Sequence, residues 1–252
     1  MAQPTVVLVH CAFHSVEHFG PLQTHLESHG YNCVAVSLPS TQSTDLAPAR
    51  LEDDTAAVRI AVTAALDEGN DVVVVAHSYG GCPTNNALQG LDTASRSAAG
   101  ASTSVSAIAF LCALPQPAGV VMADSVDPVN GIHDCSGDFC TVKPNPGPTH
   151  YFYNDFDDAE ANRWSETLRP MSRLAFEGKT TYAAYMDIPS SYLMCTKDNA
   201  LPLPAQQGMV QAAVACGAKI RVESVEAGHS PFLSKLEETS AFIRRAAGEL
   251  GA

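Results

Sequence analysis

Ten consecutive residues, Val72-Val73-Val74-Val75-Ala76-His77-Ser78-Tyr79-Gly80-Gly81, limit the possible folds of this chain more than any other stretch. A run of four valines is a strand with no polar face, which belongs in a parallel sheet covered on both sides. The run ends at a serine with Ala76 two positions before it and Gly80 two positions after it. Small residues there let the chain turn sharply from strand to helix and lift the serine hydroxyl above the sheet edge. The pattern is G-x-S-x-G with Ala76 in place of the first glycine. Ser78 is therefore the candidate nucleophile, and the turn aims the N–H of Tyr79 at the same spot.

The flanking sequence supplies the alternation that a parallel sheet needs. Apolar runs at 5–9, 31–37 and 105–112 read as strands, and the spacings over 15–29 and 51–68 as helices. A further helix should start just after Ser78, with the Ala/Ser/Gly-rich residues near 92–104 as its exit loop. After 114–188 the pattern resumes: strand 191–195, helix 205–216, strand 219–224 and helix 234–250. This is an α/β chain with a mostly parallel, doubly wound sheet. Residues 1–113 and 189–252 form the core, and 114–188, rich in Pro and Gly and without a strong strand signal, is an inserted, largely helical cap. Helices are expected in it near 159–168 and 171–186. Its aromatics Tyr151, Phe152, Tyr153, Phe156 and Trp164 either line a pocket mouth or form the cap's own small core. The cap is expected to select substrate and to take no part in bond breaking.

Composition narrows the class. A net charge of −13 with only 14 Lys and Arg speaks against nucleic acid and against anionic lipid as partners. Residues 1–4 carry no basic, apolar leader, so a cytoplasmic protein is expected. Eight cysteines in 252 residues are too sparse for a disulfide scaffold. Cys135 and Cys140 bracket a polar loop, and in a reducing compartment two free thiols are the expectation. No His/Cys group has zinc spacing, so no metal is expected. No G-x-G-x-x-G follows the first strand, which excludes a dinucleotide-binding dehydrogenase.

A serine hydroxyl needs a base, and the base needs an acid to hold it. After an elbow of this kind the chain order is serine, acid, histidine. Only His229 lies late, in the loop Glu226-Ala227-Gly228-His229-Ser230-Pro231 between the last strand and helix. Asp198 is the only acidic residue in the exit loop of the preceding strand. The competing position, the loop Ala113-Leu114-Pro115-Gln116, offers no carboxylate. Backbone N–H groups must also face the oxygen that gains charge. Tyr79 supplies one, and Ala12 in the loop His10-Cys11-Ala12-Phe13-His14 the other. His10 and His14 lie in a loop without a third ligand and read as groups that pin it. Cys11, His14 and Trp164 are candidate pocket residues.

The segments 10–14, 76–81, Phe110-Leu111-Cys112-Ala113-Leu114-Pro115, Thr196-Lys197-Asp198 with Pro202, and Gly228-His229 follow one another in a familiar order. The chain resembles the small α/β-hydrolases that include plant methylesterases of the salicylate-binding type and hydroxynitrile lyases. The resemblance covers nearly the whole chain and is weakest in the cap. It implies a helical cap over the site, no cofactor and small carbonyl-containing substrates. Two positions depart from the pattern. Ser230 stands where the lyases of this group carry a lysine that handles cyanide, and Cys11 stands where the methylesterases usually have glycine. The leading expectation is a serine hydrolase acting on a small-molecule ester, lactone or thioester, with a homodimer open as its assembly. The alternatives are a C–C or C–O lyase on the same three residues, and a receptor derived from a hydrolase.

Overall fold

The computed structural model describes residues 3–42, 44–45, 47–125 and 131–249. Nine strands occur among them: β1 (Thr5–Val9), β2 (Cys33–Val36), β3 (Val72–His77), β4 (Val105–Leu111), β5 (His133–Ser136), β6 (Phe139–Val142), β7 (Met171–Ser172), β8 (Ser190–Cys195) and β9 (Ile220–Val225). Six of them pair in parallel in the order β2-β1-β3-β4-β8-β9. The helices are α1 (Gly20–Ser28), α2 (Leu51–Asp67), α3 (Gly81–Ala87), α4 (Thr93–Ala98), α5 (Pro148–Phe152), α6 (Asp158–Ser165), α7 (Arg173–Phe176), α8 (Leu203–Ala215), α9 (Pro231–Ser234) and α10 (Leu236–Ala246). None of those described is long and apolar enough to cross a membrane.

The period of a strand divides the core in two. Val7, Val9, Val72 and Val74 pack with Val58 and Val62 of α2 on one face. Val6, Leu8 and Val75 pack with Leu22 and Leu26 of α1 and Phe242 and Ile243 of α10 on the other. Each fully buried Val or Leu contributes about 1.5–3 kcal/mol, so the valine strands are the main fastening of both layers. From β1 the chain goes first to β2 on one side and then to β3 on the other. Ligands of open parallel sheets bind beyond the carboxyl ends of the strands, at such a reversal of direction.

The residues near 92–104, expected as a loop, contain α4, whose first turn is closed by Ser95 N–H donating to Asp92 at 2.9 Å. The segment between β4 and β8 is less helical than expected. It holds a small antiparallel sheet, β5-β6-β7, beside α5, α6 and α7. The helix expected over 171–186 stops at Phe176. Beyond it the backbone is extended, because Thr180 exchanges hydrogen bonds with Gly119 and Val120 at 2.7 and 2.9 Å. Cys135 and Cys140 are not free thiols: they face each other across β5 and β6 and form a disulfide.

Candidate active site

β3 runs directly into a single 3₁₀ turn, Ser78–Gly80, and then α3. Ser78 sits at φ 51°, in the left-handed region that costs a non-glycine residue on the order of 1–3 kcal/mol. Close backbone contacts hold it there. A Cβ on Gly80 would lie 2.6 Å from the Val9 carbonyl oxygen, and one on Gly81 would lie 2.5 Å from that of Leu114. Leu114 N–H in turn donates to the Ser78 carbonyl at 3.0 Å. The two glycines let the loops after β1 and β4 close against the turn, which explains Gly81 as well as the Gly80 of the sequence pattern.

His229 comes from the loop between β9 and α9, and Asp198 from the loop between β8 and α8. His229 Nδ1 lies 2.7 Å from Asp198 Oδ2, and both side chains are buried. Ala200 and Leu201 donate their N–H groups to Asp198 Oδ1, each at 2.8 Å. The carboxyl accepts from both of these N–H groups, and His229 Nδ1–H is the third donor to it. The carbonyl of His229 accepts from His77 Nε2 at 2.8 Å, which ties the loop to the residue before the serine.

Ser78, His229, Ala12 and Tyr79 all line one cavity of about 990 Å³. The backbone turns just after Ala12 through Phe13 at φ 65°. Tyr79 directs its hydroxyl away from the cavity into α2, donating to Asp54 Oδ2 at 2.6 Å. Ser40 gives the same carboxyl two further hydrogen bonds. Burial raises the Asp54 pKa to about 6 against the opposing pull of these donors. Tyr79 is thereby tethered to α2 through its hydroxyl.

Of the candidate pocket residues, Cys11 lines the cavity and the other two do not. Burial, and then the charge of Asp198, push the Cys11 thiol well above its ordinary pKa, so it stays protonated. His14 is buried behind it. Its Nδ1 lies 2.8 Å from the Ala12 carbonyl, and its Nε2 3.0 Å from the Tyr153 hydroxyl. It pins the loop. Trp164 lies on α6 against His18, with the Arg163 guanidinium over its ring, because that helix packs outside the cavity wall. Among the cap aromatics, Phe152 does reach the cavity.

Three groups of three potential metal ligands occur among the described residues: Cys11 with His77 and His229, Cys112 with Asp198 and His229, and His133 with Cys135 and Cys140. The first two depend on thiols that burial keeps protonated, and the third on sulfurs already joined to each other. None offers a ready thiolate.

The cavity walls are apolar: Phe13 and Leu114 from the core, Met122, Ile132 and Phe176 from the segment between β4 and β8, and Met209 from α8. Among the described residues, no Asp, Glu, Lys or Arg lines it. His133 stacks on Phe176 at 4.6 Å, and burial lowers its pKa.

Three positioning residues were not foreseen from the sequence. Gln206 of α8 grips the acid loop: its amide donates to the Leu201 carbonyl at 2.7 Å and accepts from Cys195 N–H at 3.1 Å. Asp155 accepts from Gly228 N–H at 2.8 Å, beside His229. Asn154 donates to the Lys197 carbonyl at 2.9 Å, beside Asp198. A Cβ at Gly228 would meet Asn154 Oδ1 at 2.4 Å and Asp155 Oδ1 at 2.6 Å, so a larger residue would push these two side chains from their places. The acidic, aromatic stretch 151–158 was visible in the sequence, but nothing in it signals a partner 73 residues away.

A comparison with curated proteins finds the "Alpha/beta hydrolase nvfD" of Aspergillus novofumigatus, 29% identical over 99% of this chain and 98% of that protein. Among solved structures, a pyrethroid hydrolase from Sphingobium faniae superposes with a TM-score of 0.76 at 18% identity, over 98% of both chains. An extracellular alpha/beta-hydrolase from a Paenibacillus species, described as sharing structural and functional homology with tobacco salicylic acid binding protein, also gives 0.76. Its identity is 17%, over 96% of this chain and 98% of that one. The sequence profile described as "Alpha/beta hydrolase family" matches residues 6–242, almost the full length. This chain belongs to the alpha/beta hydrolase family.

Proposed function

We infer that the protein is a serine hydrolase that cleaves a neutral, largely apolar carboxylic ester through an acyl-enzyme. The observation that carries this reading is the buried 2.7 Å contact between His229 Nδ1 and Asp198, on a histidine that shares a cavity with the strained Ser78. In the first step His229 Nε2 takes the Ser78 proton while Oγ bonds to the ester carbonyl carbon. The carbonyl oxygen gains charge and is met by the N–H groups of Ala12 and Tyr79. Collapse of this intermediate breaks the C–O bond, and the imidazolium returns its proton to the departing alcohol. Water then repeats the sequence on the acyl-enzyme and releases the acid. Asp198 holds the imidazole in the required tautomer and stabilises its cation. Lactones and thioesters would follow the same route. The described wall residues carry no charged side chain other than the histidines, which favours a substrate without charge, because an unpaired ion would lose its hydration there. The pyrethroid hydrolase among the structural neighbours has a name compatible with such a substrate.

The test is covalent labelling. A fluorophosphonate should add once, to the peptide holding Ser78, and abolish hydrolysis of p-nitrophenyl acetate. Ser78→Ala should remain folded and retain roughly 10³-fold catalysis over water from the oxyanion site and binding alone. Labelling at another residue with Ser78 untouched would sink the reading.

A further inference from the structure

The loop after β4 supplies no acid to the site, but it does bring the amide of Gln116 into a largely apolar wall. Gln116 is 4% exposed and lines the cavity. Its Oε1 accepts from two donors, the Thr180 hydroxyl at 3.1 Å and the Cys82 thiol at 3.4 Å. Burial raises the pKa of that thiol, so it stays an S–H donor, and because a thiol sulfur accepts only weakly the amide oxygen is the better partner on this side. The Nε2 end, with two N–H bonds, has no partner among the described residues. That nitrogen is accessible to solvent in the free protein; an apolar ligand that displaces the solvent leaves the donor unpaired at a cost on the order of 1–3 kcal/mol, which a ligand that supplies an acceptor avoids. Because both Oε1 partners hold the amide in place, the donor is oriented before a ligand arrives.

We propose that Gln116 is a specificity-determining residue that donates a hydrogen bond to a second oxygen of the substrate, apart from the ester carbonyl. The substrate class is then a bulky, neutral ester whose hydrophobic body carries a ketone, ether or further ester oxygen. This rests on the ester-cleaving reading above. It adds to it a recognition contact that involves neither Ser78 nor the oxyanion donors. A hydrocarbon acyl group of the same shape fits the same walls but leaves the Gln116 amide unpaired, and it is discriminated against for that reason.

The experiment measures binding without turnover. The Ser78→Ala protein is titrated calorimetrically with p-nitrophenyl decanoate and with mono-oxo analogues in which the ketone is walked along the chain. At least one analogue should bind roughly ten-fold more tightly than the parent, the scale of one recovered buried hydrogen bond. That preference should fall to about one-fold when Gln116→Leu is added. Gln116→Met, which fills the space with an unbranched apolar chain, should do the same, and melting curves establish that each variant is folded. Equal affinity across the series, or a preference that survives both Gln116 variants, would overturn the proposal. The ester reading has its own readout in the wild-type protein. If an oxo preference depends on Gln116 while no ester, acetate included, is hydrolysed, the reaction is wrong and the recognition role stands.

Discussion

Mild acid should unfold this protein, and the cause is a set of histidines buried without charge. His10 accepts Leu38 N–H at Nε2, and His18 accepts Ser15 N–H at Nδ1, so each is locked as a neutral tautomer. Burial is the largest cause in both and lowers each pKa from 6.5 to about 4. It also holds His14 and His77 well below their ordinary value. A depressed native pKa gives stability that is present above 6.5 and is lost as the pH falls toward the native value. For His10 and His18 the full loss is about 3 kcal/mol apiece. Asp54 acts in the opposite sense. Its raised pKa of about 6 gives stability that is complete below 3.8 and disappears as the pH rises through about 6. At about pH 5 the unfolded chain therefore holds nearly two extra protons on His10 and His18, and the native state holds nearly one extra on Asp54. That net difference of about one proton gives a slope of roughly 1.4 kcal/mol per pH unit, and His14 and His77, depressed in the same direction, steepen it. Against a typical stability of about 5–15 kcal/mol, the fold should fail within a few pH units below 6. Urea unfolding followed by circular dichroism at stepped pH measures the slope directly. His18→Gln, which can still accept from Ser15 and donate to Thr167, should reduce it by about 1.4 kcal/mol per pH unit, one proton's worth. A urea midpoint that does not move between about pH 7 and about pH 4.5 would refute the reasoning.

Two further substitutions probe the site. Gly81→Ala places a methyl group 2.5 Å from the Leu114 carbonyl, so the turn must open; a loss of several kcal/mol, about 3 or more, should lower the melting temperature and abolish activity together. Asp155→Ala removes the acceptor of Gly228 N–H and of the Ser234 hydroxyl, and should lower kcat by roughly ten-fold with KM nearly unchanged, read from initial rates on one ester.

What the sequence made legible follows from where each signal resides. The Val72–Val75 run is a strand by composition alone, because a sheet covered on both faces removes polar alternation. Asp198 and His229 could be paired ahead of the fold because chain order ties each loop to the end of a particular strand, and the two side chains do meet, at 2.7 Å. The small sheet β5-β6-β7 gave no such signal, since its strands are two to four residues long. The spacing over 171–186 suggested a helix, but Thr180 finds its partners in the chain at Gly119 and Val120. Gln116 shows the same limit within the site. The sequence shows that it is no acid, whereas only the fold shows that Thr180 and Cys82 occupy its oxygen and leave its nitrogen open.

The grip of Asn154 and Asp155 bears on how such a protein can be altered by recombination. Both residues belong to the segment that shapes the cavity, yet their bonds end on Lys197 and Gly228, the backbone neighbours of Asp198 and His229. Asn199 returns a third bond to the His150 carbonyl at 3.1 Å. A chimera that imported this segment from a relative would therefore exchange more than its walls. It would also exchange the struts that hold the histidine and its carboxyl in register. New selectivity in this architecture is reached more safely one wall residue at a time than by transplanting the whole segment, unless the donor brings its own Asn-Asp pair to the same two loops.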